Sequence, residues 1–293
     1  MTQLMKRCGT SVISVVAMCA LAGIAQGSLI LHYPIDSTSV VAGAPDVLDQ
    51  TAIQVNHGYR SGGGDFTLTT DRNGTANEAV IFTGNQGIAI DNTNGVATSS
   101  GEFTIAGWYK GTDTGYFFDQ NSNRLVLSVE RNSNQDPNDG GAPAGLGVHY
   151  NSGSGIWYNS GVTTANDDKW HHLAFVLDND TTDSFFSIYL DGVAVDVDPA
   201  APGVQLTRTM TGQGIANLTQ QGTNFRQRFG SNRDGSADGL AGHYDDLRIY
   251  NTALTAGEIQ QLAGVVIPEP MTMLAVGLGI AGLGGYVRKR RRR

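Results

Sequence analysis

Residues 28–265 of this 293-residue chain predict an all-β fold, an antiparallel sandwich or barrel. The prediction rests on short runs of β-branched and aromatic residues, on the Gly, Asn, Asp and Ser that separate them, and on the near absence of helical periodicity. The 39 glycines supply the turns that many short strands need.

In chain order, strands are expected near Leu29–Tyr33, Ala79–Phe82, Gly87–Ile90, Glu102–Lys110, Arg124–Glu130 and Leu146–Tyr150. Further strands are expected near Gly155–Tyr158, Trp170–Leu177, Phe185–Leu190, Val193–Val197 and Leu240–Tyr250. Alternation puts Phe103, Ile105, Gly107 and Tyr109 on one face and Thr104, Ala106 and Trp108 on the other; two rather apolar faces predict a central strand. Asp191-Gly192 between two β runs predicts a type I′ hairpin, because both central residues of that turn need positive φ. Asp191 is therefore read as a turn residue rather than a catalytic acid. Thr255-Ala256-Gly257-Glu258 has the spacing of a capping box and predicts one short closing helix through Ile259-Gln260-Gln261-Leu262. Asn132 to Gly145 is expected to be a long surface loop, and Gly62-Gly63-Gly64, lacking the Lys and helix of a phosphate loop, a turn.

The two ends have a different character. Residues 1–27 carry Lys6 and Arg7, then the mostly apolar Val12 to Ala25, then small residues, which is the pattern of a secretory signal peptide cleaved near Ala25 or Gly27. Both cysteines, Cys8 and Cys19, fall inside it, so the mature domain is expected to lack disulfides and thiolate chemistry. A lipid-anchored start at Cys19 is disfavoured by Met18 before it. Residues 266–293 hold Pro268-Glu269-Pro270, the uncharged Met271 to Val287, and a terminal cluster of six cations. The 17 residues from Met271 to Val287 would reach about 25 Å as a helix, the lower limit for crossing a bilayer.

Removing the ends changes the charge. Two of the 19 Lys and Arg lie in the leader and six in the tail, leaving 11, whereas only Glu269 leaves the 27 acids, so the domain carries about −15. A face that acidic argues against nucleic-acid binding. Most of the acids are Asp, which fits either a soluble exported protein or calcium sites in loops.

The blocks Ala79-Val80-Ile81-Phe82-Thr83-Gly84, Phe103-Thr104-Ile105-Ala106-Gly107-Trp108, Trp170-His171-His172-Leu173-Ala174-Phe175-Val176 with Tyr189-Leu190-Asp191-Gly192, and Leu240 to Tyr250 stand in a specific order. In that order the chain resembles the laminin-G-like, concanavalin A-like jelly rolls. The resemblance implies two antiparallel sheets packed face to face, glycan or protein binding, and Trp170 as a core residue. The tail resembles the PEP-type sorting signal of Gram-negative bacteria. That implies processing by an exosortase-type enzyme while the tail is transiently in the inner membrane, and a destination at the cell surface or in the extracellular matrix; a permanent C-terminal anchor is the alternative.

Enzymatic readings find little support. Concanavalin-like glucan hydrolases carry a Glu-x-Asp-x-x-Glu strand, and none is present; Glu78, Glu102, Glu130 and Glu258 are scattered. Adjacent Asp245 and Asp246, and adjacent His171 and His172, are expected to point to opposite faces of their strands. No Gly-x-Ser-x-Gly elbow exists. A non-enzymatic binding module for glycan or another surface component is therefore expected, with a ligand-free structural matrix protein and a glycoside hydrolase as alternatives.

Two sets of site residues follow. Similarity to pentraxins implies calcium held by Asp119, Asn121 and Asn123 together with Asn232, Asp234 and Asp238, although the chain lacks a Glu ligand there and places Arg233 nearby. For sugar stacking, Tyr116 with Phe117 and the run Trp157, Tyr158, Asn159 are candidates, with core packing as the competing role of these rings.

Overall fold

In the computed structural model, the described residues are 28–265 apart from 42–45, 55, 64–65, 91–95, 97–100, 121–124, 130–144, 151–155, 161, 180–183, 196–207, 211–226, 233–234 and 236. The leader, the tail with Pro268, Glu269 and Pro270, the loop 132–144, and Asn121, Asn123 and Asp234 lie outside them. Among the described residues, no helix is long and apolar enough to cross a membrane.

The elements are β1 (Leu29–Tyr33), β2 (Gly58–Ser61), β3 (Thr67–Thr69), β4 (Ala79–Phe82), β5 (Gly87–Ile90), β6 (Phe103–Lys110), β7 (Gly115–Gln120) and β8 (Leu125–Val129). They continue with β9 (Gly147–Tyr150), β10 (Ile156–Asn159), β11 (His171–Asn179), β12 (Ser184–Leu190), β13 (Val193–Val195), β14 (Arg208–Met210), β15 (Arg228–Phe229), β16 (Gly242–Tyr250) and α1 (Ala256–Leu262). Each expected strand is present within a few residues. Five further strands were not foreseen: β2, β3, β7, β14 and β15.

Two antiparallel sheets form a sandwich. The larger runs β13-β12-β11-β6-β16-β4-β3, with β1 and β4 sharing one side of β16 and β14 pairing β12. The smaller runs β10-β9-β8-β7-β15-β5-β2. As alternation predicted, β6 is central, between β11 and β16, and its Phe103, Ile105 and Tyr109 enter the core between the sheets. Phe117 joins that core in contact with Phe175, Phe229 and Tyr244 at ring-centroid distances of 6.0, 5.8 and 6.1 Å. Gly107 allows the sheets to close: a Cβ there would meet the Leu247 side chain at 2.6 Å.

The turn and cap chemistry read from the sequence is in place. Asp191 and Gly192 both have positive φ, 51° and 78°, and Thr255 and Glu258 satisfy each other's backbone amides in a capping box. Asp191 does more than turn the chain. Its Oδ1 accepts from the His172 amide at 2.9 Å, and its Oδ2 lies 2.8 Å from His171 Nδ1, while His171 Nε2 is 3.0 Å from Asp167 Oδ1. Hydrogen bonding to Asp191, outweighing burial, raises the His171 pKa, and Asp167 adds to it. For Asp191, burial pushes the carboxyl up, but the bonds from His171 and the His172 amide hold it below its usual value.

The clamp has a definite pH window. Stability from His171 is fully present below its unfolded pKa, about 6.5, and is lost as pH rises through the raised folded value. Stability from Asp191 is present above about 3.9 and is lost as pH falls through the depressed folded value. Because the Asp191 carboxylate is half-exposed, its pair with His171 is expected to contribute only about 1 kcal/mol at pH 6. His171→Gln should remove that difference while matching wild type near pH 9, and Asp191→Ala should lose it together with the turn. Denaturant midpoints of the three proteins at both pH values check this; a constant gap between wild type and His171→Gln would contradict it.

Candidate functional site

Sheet register decides which side chains reach the outer face of the larger sheet. On β6, Thr104, Ala106, Trp108 and Lys110 turn away from the core. Opposite Trp108 stand His172 on β11 and Asp245 on β16, and opposite Lys110 stands His243. Part of this face is covered near α1, where Ala106, Ala174, Val176, Tyr250, Leu254 and Ile259 form an apolar cluster separate from the main core. Beyond that cluster the face turns polar and aromatic. Trp108 meets His172 edge-on at 5.3 Å, and Trp170 meets His243 at 6.1 Å. Trp170 is only partly buried, so its expected core role is corrected: it precedes β11 and packs against an outward-facing residue. Trp108 Nε1, His172 Nδ1 and His243 Nδ1 find no hydrogen-bond partner among the described residues.

A pocket of about 250 Å³ opens on this sheet, lined by Asp245, Asp246 and Arg248 of β16 and by Arg72, whose guanidinium lies over the Trp108 ring. A β-bulge between Asp245 and Arg248 is the decisive local feature. Asp246 takes φ of 52°, and Leu247 turns into the core. Asp245, Asp246 and Arg248 consequently all line the same pocket. The expectation that Asp245 and Asp246 face opposite ways assumed an unbroken strand, and the bulge overturns it.

The pocket's charges interlock. Asp246 Oδ1 accepts from His32 Nε2 at 2.8 Å and from Arg248 Nε at 2.8 Å, while its Oδ2 accepts from Arg248 Nη2 at 3.0 Å and lies 3.6 Å from Arg72 Nη2. Arg72 also donates to Asp245 Oδ2, and its guanidinium carbon lies 4.8 Å from the centre of the Trp108 ring. A turn built by Asp71, whose Oδ1 accepts from the amides of Asn73 at 2.9 Å and Thr75 at 2.6 Å, presents Arg72 in this position. Burial pushes the Asp245 carboxyl up to about 7, against the Arg72 charge that lowers it. Burial acts on Asp246 too, but His32 and Arg248 outweigh it and hold that carboxyl at about 2. His172 is lowered to about 4 by burial, so it is neutral at pH 7.

The residues singled out from the sequence are placed elsewhere. Tyr116 is 0 % exposed, packed with Val126, and offers no ring face to a sugar; this corrects its assignment as a stacking residue. Phe117 is a core residue. Trp157, Tyr158 and Asn159 form β10, the edge of the smaller sheet. Asp119 is 0 % exposed on β7, directly across from Arg228 on β15. The Arg228 guanidinium also donates to the Asn232 carbonyl oxygen at 3.3 Å, so a fixed positive charge stands where the two loops were expected to hold a cation. Asn232 uses Oδ1 for the Ala237 amide at 3.3 Å, and Asp238 is half-buried with φ of 53°. Among the described residues, no group of three His, Cys, Asp or Glu is arranged to hold a metal ion.

Comparison with known proteins fits this architecture. The profile of the laminin-G form of the concanavalin A-like lectin/glucanases superfamily matches residues 82–260. Domain 4 of AbnA, a GH43 extracellular arabinanase from Geobacillus stearothermophilus solved with arabinotriose, is 20% identical, with 81% of this chain and 98% of that chain covered and a TM-score of 0.57. The botulinum neurotoxin serotype D binding domain is 11% identical over 81% of this chain and 50% of that one, with a TM-score of 0.48. No curated protein sequence matches the chain significantly.

Proposed function

The chain belongs to the concanavalin A-like lectin/glucanases superfamily, and from that premise we propose that it is an exported, non-enzymatic module that binds glycan at the cell surface or in the extracellular matrix. The observation that carries this reading is the polar pocket on the larger sheet, whose Arg72 lies over the Trp108 ring. Sugars are held by such a combination: an indole covers the apolar face of the ring, while carboxylates and guanidiniums bond the hydroxyls in fixed directions. The solved arabinanase domain was captured with arabinotriose, which supports a glycan as the ligand class.

Catalysis suits the site less well. Two carboxylates with separated pKa values resemble an acid and base pair, but both oxygens of Asp246 already accept from His32 and Arg248. Such a carboxylate anchors; it has little capacity left to attack or to move a proton. The leader and the Pro268-Glu269-Pro270 tail place the module outside the cytoplasm in this proposal, with an exosortase-type enzyme processing the tail.

A glycan array probed with the full chain tests the reading, with Trp108→Ala and Trp157→Ala in parallel and with calcium or EDTA present. Capture of defined glycans is expected, falling about fivefold or more in Trp108→Ala, in line with the loss of about 1–3 kcal/mol for one stacking ring. No capture by wild type, or full capture by Trp108→Ala, contradicts it. Loss of capture with EDTA would show that capture needs a divalent cation, without locating it.

A further inference from the structure

The turn that presents Arg72 carries a chemically labile pair. It joins β3 to β4, and within it Asn73 is followed by Gly74; among the described residues no other asparagine precedes a glycine. Asparagine is a thermolabile residue, because its side-chain carbon and the next backbone nitrogen can close a five-membered imide. A side chain on the following residue obstructs that closure, and Gly74 has none. A Cβ built there would meet nothing within 4 Å, and Asn73, Gly74 and Thr75 are all exposed. Neither the ring nor the water that later opens it is blocked by neighbouring atoms.

The hydrogen bonds of the turn are unequal, and their order decides where it gives way. Asp71 Oδ1 accepts from the Thr75 amide at 2.6 Å and from the Asn73 amide at 2.9 Å, and the Asp71 amide donates to the Thr75 carbonyl oxygen at 2.9 Å. The Gly74 amide, which has to swing toward Asn73 Cγ, donates to the Asp71 carbonyl oxygen at 3.3 Å, outside the usual range of about 2.7–3.2 Å. The attacking group is thus the most weakly held amide of the turn. Gly74 sits at φ of 85°, and glycine crosses between backbone regions at little steric cost, so the swing is open to it.

We propose that Asn73 is a site of spontaneous deamidation, and that its conversion loosens the turn that holds Arg72 on Asp245 and over Trp108. The Gly74 nitrogen bonds to Asn73 Cγ and gives up its proton through solvent, the Cγ–Nδ2 bond breaks, and the side-chain nitrogen leaves as ammonia. Water then opens the imide at Cγ to give aspartate, or at the Asn73 backbone carbonyl carbon to give isoaspartate. Nothing is oxidised or reduced. Aspartate puts a carboxylate where Asn73 Nδ2 now donates to Asp71 Oδ2 at 3.0 Å, and two carboxylates that close oppose each other's ionisation. Isoaspartate lengthens the main chain by one carbon and displaces the Thr75 amide from Asp71. Because Asn73 also lines the pocket, the new charge lies at its rim. The proposal does not depend on which ligand the pocket takes.

Ageing of the full chain at pH 8, followed by peptide mapping with fragmentation spectra, tests the chemistry, with urea-denatured chain aged in parallel. In the folded chain Asn73 is expected to convert at least about tenfold faster than Asn77, which is exposed on the same connection but precedes Glu78; that ratio corresponds to about 1.4 kcal/mol in barrier. Isoaspartate should appear at position 73 beside aspartate. Asn73 that stays intact in the folded chain while converting in urea would overturn the proposal, because the turn would then protect it. Conversion to aspartate alone would overturn it too, since direct hydrolysis needs no imide. The indole N–H signal of Trp108 in a ¹H–¹⁵N spectrum tests the consequence. Asn73→Asp and aged wild type should each shift it, whereas Asn73→Ser, which cannot form the imide, should keep it constant through ageing. An unmoved Trp108 signal in Asn73→Asp, or equal drift in Asn73→Ser and wild type, would break the link to Arg72.

Discussion

Phe117→Ala is expected to lower the unfolding free energy by about 3–5 kcal/mol. The ring is 0 % exposed and contacts Phe175 from the larger sheet, Phe229 from the smaller sheet and Tyr244 from the larger. It therefore ties the two layers together. Truncation removes the transfer free energy of an aromatic side chain and leaves a void that three other rings cannot close without giving up their own contacts. Urea unfolding measures the effect directly. A loss below about 1 kcal/mol, which is typical of a surface site, would show that the ring is not in the core and would restore it as a candidate for ligand stacking.

Asp246→Asn is expected to cost about 3 kcal/mol, because it removes the charge that Arg248, His32 and Arg72 share and leaves Arg248 and His32 without their carboxylate in a partly dry pocket, while Arg72 keeps Asp245. Asn tolerates the left-handed backbone at φ of 52°, so the loss reports charge rather than strain. The pH dependence separates this from a packing defect. Asp246 is held at about 2, below its unfolded value, so its stability is present above about pH 4 and is lost as pH falls through about 2. Asp245 works in the opposite sense. Its folded pKa is raised to about 7, so the folded state binds the extra proton, and stability declines as pH climbs from about 4 to 7. The variant should lose the acid limb and keep the neutral one. Identical stability of variant and wild type at pH 6 would contradict the network.

The sheet architecture was legible because its strands have plain boundaries. Asp191-Gly192 and Thr255-x-x-Glu258 each encode a local geometry that nothing distant overrides. Strand β7 was not legible. A bulge between Tyr116 and Phe118 breaks the alternation, and both Phe117 and Phe118 reach the main core, so a run of aromatics that looked like a ligand platform is packing. The same physics hid the site. Period-two reasoning separates Asp245 from Asp246, and only the bulge on β16 brings them into one pocket. Trp108 was within reach, since alternation places it opposite Phe103 and Ile105, on the face that the core does not use. Arg72 had almost no signal: the Asp71-Arg72-Asn73-Gly74 run announces a turn, but its delivery over Trp108 depends on contacts far away in sequence.

The three indole N–H signals of Trp108, Trp157 and Trp170 offer the most direct test of the glycan-binding face. A ¹H–¹⁵N spectrum of the full chain recorded while a captured glycan is titrated in should move the Trp108 signal most, move Trp170 less, and leave Trp157 where it was. Movement of Trp157 alone would transfer the site to the edge of the smaller sheet and contradict the account.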